Sequence, residues 1–182
     1  ANPNKPPGPI QWSSKLRVQL GVAYEPIYYF TNDPLNCLAD NRRILQPHTK
    51  AQLGLIERGG EQRTASNADG AYRINPGSYG KATPGRIQRN ILNISHNCPS
   101  QRALREKTDA LGLPRHGAVM PLKLAKMLVE FFCPLGGLVV DPFAGSFTTA
   151  LAAEETGRRW ICADKHLEYL QLGRHRFNAE VA

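Results

Sequence analysis

The stretch Leu138-Val-Val-Asp-Pro-Phe-Ala-Gly-Ser-Phe-Thr-Thr149 decides the fold class. Leu138-Val-Val140 is short and wholly apolar, which predicts a strand buried on both faces of a parallel sheet. Asp141 to Phe147 reads as a loop, and 148–155 as a helix with Gly157 just beyond its end. A second buried strand is expected over 159–163, Arg-Trp-Ile-Cys-Ala, ending in Asp164. Upstream, Leu122, Ala125, Leu128, Val129 and Phe132 recur at intervals of three and four, so 121–133 is expected to form a helix with Pro121 in its first turn. Downstream, 167–178 is expected to form a third helix, with Leu167, Leu170, Phe177 and Leu172 as its inward candidates. Helix, strand, loop, helix, strand, acid and helix make a βαβ unit with a right-handed crossover, and the class is α/β within a doubly wound sheet.

A strand that feeds a Gly-containing loop into a helix sets backbone N–H groups at the carboxyl edge of the sheet, where ligands of open α/β sheets bind. The loop lacks both the spacing of a dinucleotide site and the Lys of a phosphate-cradling loop, so a pyrophosphate is not indicated. Asp164, at the end of the next strand, is placed to accept hydrogen bonds from the two ribose hydroxyls of a nucleoside. A nucleoside without phosphates points to S-adenosylmethionine. A structural turn with no ligand is the competing reading of the same geometry.

The rest of the chain has a different texture. Its first eleven residues are Pro-rich and expected to be extended, and 12–20 alternates loosely as a loop or short strand. Tyr24-Glu-Pro-Ile-Tyr-Tyr-Phe30 is rich in aromatic and β-branched types and predicts a strand after Pro26, stopped by Thr31-Asn-Asp-Pro34. Residues 36–100 are broken by glycines and lack periodicity. Within 41–89 stand Arg42, Arg43, Lys50, Arg58, Arg63, Arg73, Lys81, Arg86 and Arg89 against only Glu57, Glu61 and Asp69. Much of the formal charge of +8 therefore sits in one loop-rich stretch, as a surface that follows a phosphate backbone requires. A solvated, irregular loop is the plainer alternative.

Four well-separated cysteines, without a CxxC pair or metal spacing to His, read as reduced and mostly buried in a cytoplasmic protein. No apolar run is long enough to span a membrane, and the start has no signal-peptide core. At 182 residues with 41% hydrophobic content, the chain suits one domain, or one domain with an inserted lobe.

Several motifs together resemble one family. Val140-Asp-Pro-Phe-Ala-Gly-Ser-Phe-Thr-Thr-Ala150 is similar to the DPFxGSGTT cofactor motif of N4-cytosine and N6-adenine DNA methyltransferases. His116-Gly-Ala-Val-Met-Pro-Leu-Lys-Leu124 resembles the family's HPAxFPxxL element, and Arg158-Arg-Trp-Ile-Cys-Ala-Asp164 its ribose-binding strand. The 24–30 run is similar to the strand before the target-recognition region. The order of these pieces matches the permuted β arrangement, in which the catalytic half comes first and the cofactor half last. The resemblance implies a Rossmann-like methyltransferase sheet with a loop-rich basic insert. It divides the chain into 1–35, strand and loop of that sheet; 36–112, target-recognition insert; and 113–182, the S-adenosylmethionine-binding βαβ half. Asp141, Phe143, Gly145, Ser146, Thr148, Asp164 and His116 would hold the cofactor. Arg42, Arg43, Arg58, Arg63, Arg73, Lys81, Arg86 and Arg89 would meet double-stranded DNA.

Two departures stand out. The catalytic (D/N/S)PP(Y/F) tetrapeptide, which holds the amine of a flipped base, has only Asp33-Pro-Leu-Asn36 and Asn75-Pro-Gly-Ser78 as its nearest strings. Phe147 stands where the family has Gly, and it either crowds the methionine end or stacks beside the site. Thr148 and Thr149 are expected to cap the following helix. Tyr28, Tyr29 and Phe30 fit either a base-stacking platform or a core strand. The expected function is methyl transfer from S-adenosylmethionine to adenine N6 or cytosine N4 in DNA. The catalytic loop would come from an upstream segment or a second chain. The alternative is a catalytically inactive, methyltransferase-like DNA-binding protein.

Overall fold

The computed structural model describes residues 15–18, 24–66, 69–70, 72–115 and 117–177. These fall into two compact units, one over 41–88 and one holding the described residues up to Asp40 and from Arg89 onward.

The 41–88 unit is folded, not an irregular loop. It begins with a 3-10 turn, Asn41–Ile44, and continues through α1 (Lys50–Glu57). Thr49 caps α1, its hydroxyl accepting from the Gln52 N–H. A short antiparallel pair follows, β1 (Ala65–Ser66) with β2 (Arg73–Ile74). Paired amide bonds between Gln46 and Arg86, each 2.9 Å, close the unit's two ends. The unit is narrower than the 36–112 insert expected. The difference lies in α2 (Pro99–Ala110), which packs on the other unit, against its last helix.

In that larger unit, α3 (Leu122–Phe132) leads to β3 (Leu138–Asp141), α4 (Thr148–Glu155), β4 (Arg159–Cys162) and α5 (Leu167–Arg174). The two strands pair in parallel, Leu138 with Arg159 through to Asp141 with Cys162, as a βαβ unit should. The core lies where α3 meets α4: Ala125, Val129, Ala152 and Ala153 are buried, with Met120, Leu122, Val139 and Trp160 around them. Small residues on α4 let the two helices approach closely. Gly157, at φ +73°, turns the chain from α4 into β4, and a Cβ there would sit 2.9 Å from Leu135 Cδ1.

Several expectations are corrected. Pro121 is the N-cap of α3, not its first turn. Helix α5 ends at Arg174, four residues early, with Leu172 buried and Leu167 exposed. Residues 24–30 form no strand: they have no ladder partner among the described residues, and all seven are exposed. The strands are also not buried on both faces. Val139 and Trp160 turn toward the helices, while Leu138, Val140 and Ile161 face outward, Val140 at 61% and Ile161 at 58% exposure. Among the described residues no helix is long and apolar enough to cross a membrane.

Candidate functional site

The site is built where β3 and β4 end. Asp141 closes β3 and accepts the Phe143 N–H at 2.9 Å, which turns the chain out of the sheet. The Ala144 N–H then donates to the Ala163 carbonyl and the Ala163 N–H to the Asp141 carbonyl, both at 2.9 Å, tying the loop to the end of β4. The decisive contact is at Asp164. One carboxylate oxygen accepts the Gly145 N–H at 2.7 Å, and the other accepts the His166 N–H at 2.9 Å. The acid at the second strand end therefore anchors the glycine of the loop after the first.

Asp141, Phe143, Gly145 and Asp164 thus lie together at one sheet edge. The Phe143 ring, 87% exposed, projects from the loop. Ser146 lies in the same loop and Thr148 opens α4, but the side chains of both are buried, Ser146 to 1%. The Ser146 hydroxyl faces the Arg176 guanidinium. His116 lies outside the described residues.

Phe147, not a threonine, is the N-cap of α4, and it makes no side-chain cap bond. It adopts φ 61°, ψ 32°, the left-handed region that costs a bulky residue about 1–2 kcal/mol. Its ring lies with Trp160 (centroids 5.9 Å) and Phe177 (6.2 Å). Since Trp160 points to the helix side of β4 and bonds Glu154 on α4, the ring packs among helices and does not fill the sheet edge. Of the two readings open at Phe147, neither crowding nor stacking on a ligand is needed to explain where its ring goes.

Sequence reasoning missed Arg176, whose Nη2 reaches Ser146 Oγ at 3.4 Å and Nη1 Ser100 Oγ at 3.3 Å. A lone Arg just past a helix carries no motif. The two strings nearest to a catalytic tetrapeptide are both turns. Asp33 accepts the Leu35 and Asn36 amides and the Asn36 side chain, bonds that hold its carboxyl below the usual range. The Asn75 N–H donates to the Ser78 hydroxyl, and the Gly77 N–H to the Glu61 carbonyl. Tyr29 stacks on Phe132 at 4.7 Å and, with Phe30, Asn32 and Asn36, lines an open hollow of about 590 Å³. No lining residue of that hollow belongs to the loop.

In the 41–88 unit, Arg42, Arg58, Arg63, Arg73, Lys81 and Arg86 are exposed, and Arg43 is half-buried; Arg89, in the other unit, is exposed. Arg63 pairs with Glu61 at 3.8 Å, and Arg86 donates to the Pro47 carbonyl at 3.1 Å. Exposed basic side chains in this number give the unit a positive surface. Among the described residues no cluster of His, Cys, Asp or Glu could hold a metal.

The four cysteines, expected to be reduced and mostly buried, form no disulfide and are each half-buried. Burial first, and the Asp141 carboxylate second, push the Cys162 thiol up to about 11. Its thiolate is then scarce at pH 8, and iodoacetamide should modify it at least about tenfold more slowly than an ordinary exposed thiol. Peptide mapping of a timed alkylation checks this; labelling at the ordinary rate would mean that Cys162 is open to water.

Residues 4–174 match a family described as DNA methylase, whose members act at N6 or N4. The chain belongs to this DNA methylase family. Type II methyltransferase M.PvuII of Proteus hauseri is 30% identical over 97% of the chain and 52% of the relative. DNA adenine methyltransferase YhdJ of Escherichia coli K12 is 29% identical over 87% and 46%. The solved structure of PvuII DNA methyltransferase, cytosine-N4-specific, aligns with TM-score 0.66 at 25% identity, covering 100% of this chain and 50% of that one. The α/β fold is therefore that of a Rossmann-like methyltransferase, and the chain spans about half the length of these relatives. DNA methylases draw their methyl group from S-adenosylmethionine. The residues here fit that group: a carboxylate and loop amides meet at the strand ends, with no cationic side chain in the loop for a phosphate.

Proposed function

We propose that this chain is the cofactor and recognition half of a DNA amino-methyltransferase that methylates N6 of adenine or N4 of cytosine at a specific duplex site. The observation that carries the reading is the Asp164 bond to Gly145, which joins the ribose-binding acid to the cofactor loop. Asp164, at the end of the second strand, would accept the ribose hydroxyls. The loop from Asp141 to Thr148 would wrap the methionine end, and His116 would be among the residues that hold the cofactor. When bound, S-adenosylmethionine supplies a methyl group on a positively charged sulfur. The loop and α4 orient it, and the alignment of the attacking amine falls to a catalytic loop from another segment or a second chain. The outward apolar residues Leu138, Val140 and Ile161, and the exposed 24–30 run, are the kind of surface such a segment would cover.

The basic 41–88 unit would grip the duplex through its phosphates. Binding to a nonspecific duplex should weaken with a log–log salt slope of about −4 to −6, and replacing Arg58, Lys81 and Arg42 by Ser should flatten it by about two units. Fluorescence anisotropy from low to high salt measures both. The reading as a whole is tested by calorimetric titration with S-adenosylmethionine. Micromolar binding supports it, and its absence together with retained DNA binding would favour an inactive DNA-binding protein.

A further inference from the structure

We infer that the end of α5 and the residues after it, Gly173 to Phe177, hold the cofactor loop in shape, with Gly173 and Arg176 as its positioning residues. The inference rests on the reading of 141–148 as the cofactor loop.

Phe147 needs a reason to stay in a left-handed conformation, because it has neither the freedom of Gly nor a capping side chain. The reason lies on α5. A Cβ built on Gly173 would sit 2.7 Å from Phe147 Cγ, 2.9 Å from Cδ2 and 3.0 Å from Cβ, so the ring lies directly on bare backbone. Phe177 closes the other side and stacks on Trp160 at 5.2 Å and 21°, and Trp160 is held by Glu154 at 2.9 Å. The ring has one place to go, and its backbone follows.

The preceding residue is held independently. Arg176 bridges Ser146 in the loop and Ser100 on α2. Burial lowers the pKa of this guanidinium to about 10, and its Nε has no hydrogen-bond partner among the described residues. Two long bonds to neutral hydroxyls do not offset the burial of a charge, so the arrangement does little for overall stability. Its effect is on orientation: it fixes Ser146 from behind while α2 supports the bridge. Adjacent loop residues are thus gripped by one short segment, one through shape and one through hydrogen bonds.

The test compares Gly173→Ala, Phe147→Gly, the double variant and Arg176→Met with the unaltered chain. Hydrogen exchange of amides 143–149 without ligand reads the loop, and titration with S-adenosylmethionine reads its consequence. Gly173→Ala should speed loop exchange and weaken binding about tenfold. The double variant should bind within about threefold of Phe147→Gly alone, because the added methyl no longer meets a ring. Arg176→Met should speed exchange at Ser146 while global unfolding stays in place. Additive losses in the double variant, or loop exchange indifferent to Gly173→Ala, would overturn the inference. If Gly173→Ala fails to fold and the double variant folds, the same steric coupling is confirmed. If the unaltered chain takes up no S-adenosylmethionine, the cofactor reading fails, and loop exchange alone still decides the clamp.

Discussion

Replacing Asp164 by Ala should weaken binding of S-adenosylmethionine by more than about 100-fold, to the edge of detection by calorimetry. The carboxylate does two things at once. It would take the ribose hydroxyls, where two hydrogen bonds to a charged acceptor are worth about 1.5–3 kcal/mol each in a partly dry site. It also takes the Gly145 and His166 amides at 2.7 and 2.9 Å, so its removal leaves two backbone donors without their acceptor and frees the loop. Asp164→Asn separates the two effects. The amide keeps a carbonyl for one partner but cannot accept on both sides, so an intermediate loss of about tenfold is expected. Asp164→Ala that binds as tightly as the unaltered chain would remove the acid from the site and reopen the reading of 141–164 as a purely structural turn.

Local pattern made the βαβ unit legible. The apolar period of three and four in 122–132 and the apolar runs at 138–140 and 160–163 each had one natural reading, and the strands' parallel pairing followed from the helix between them. The acid at the strand end was legible for the same reason, since its position follows from the register. What failed had non-local causes. The composition of 24–30 suits a strand, but strand formation is decided by a partner that the described residues do not supply. Helix α2 escaped notice because two of the three residues it buries are polar: Gln101, Leu104 and Thr108 keep helical spacing without apolar character. Gln101 earns its burial by donating to the Val119 carbonyl at 2.7 Å, and Thr108 by donating to the Leu104 carbonyl. The inward turn of Ser146 and the fate of the Phe147 ring depend on Gly173 and Arg176, nearly thirty residues away, and no local spacing reports such a contact.

Leu172→Ala should destabilise the chain by about 3 kcal/mol, which in a protein of this size lowers the melting temperature by roughly 6–12 °C. Leu172 is 1% exposed, the largest fully buried side chain among the described residues, on the face of α5 that meets the rest of its unit. Truncation removes apolar burial and leaves a cavity that rigid neighbours close only in part. Leu138→Ala supplies the contrast. The same residue type, at 46% exposure on the outward face of β3, should cost less than about 0.5 kcal/mol in this chain alone. Thermal unfolding of both variants measures the difference, and comparable losses would mean that the outward face is already covered. Leu172 also sits beside Gly173, so a collapse around the cavity would shift the surface on which Phe147 rests. Loop exchange should then rise in Leu172→Ala before global unfolding begins. The buried side of the helix layer and the conformation of the 141–148 segment are in this way one packing problem, and the outward sheet face stands apart from it.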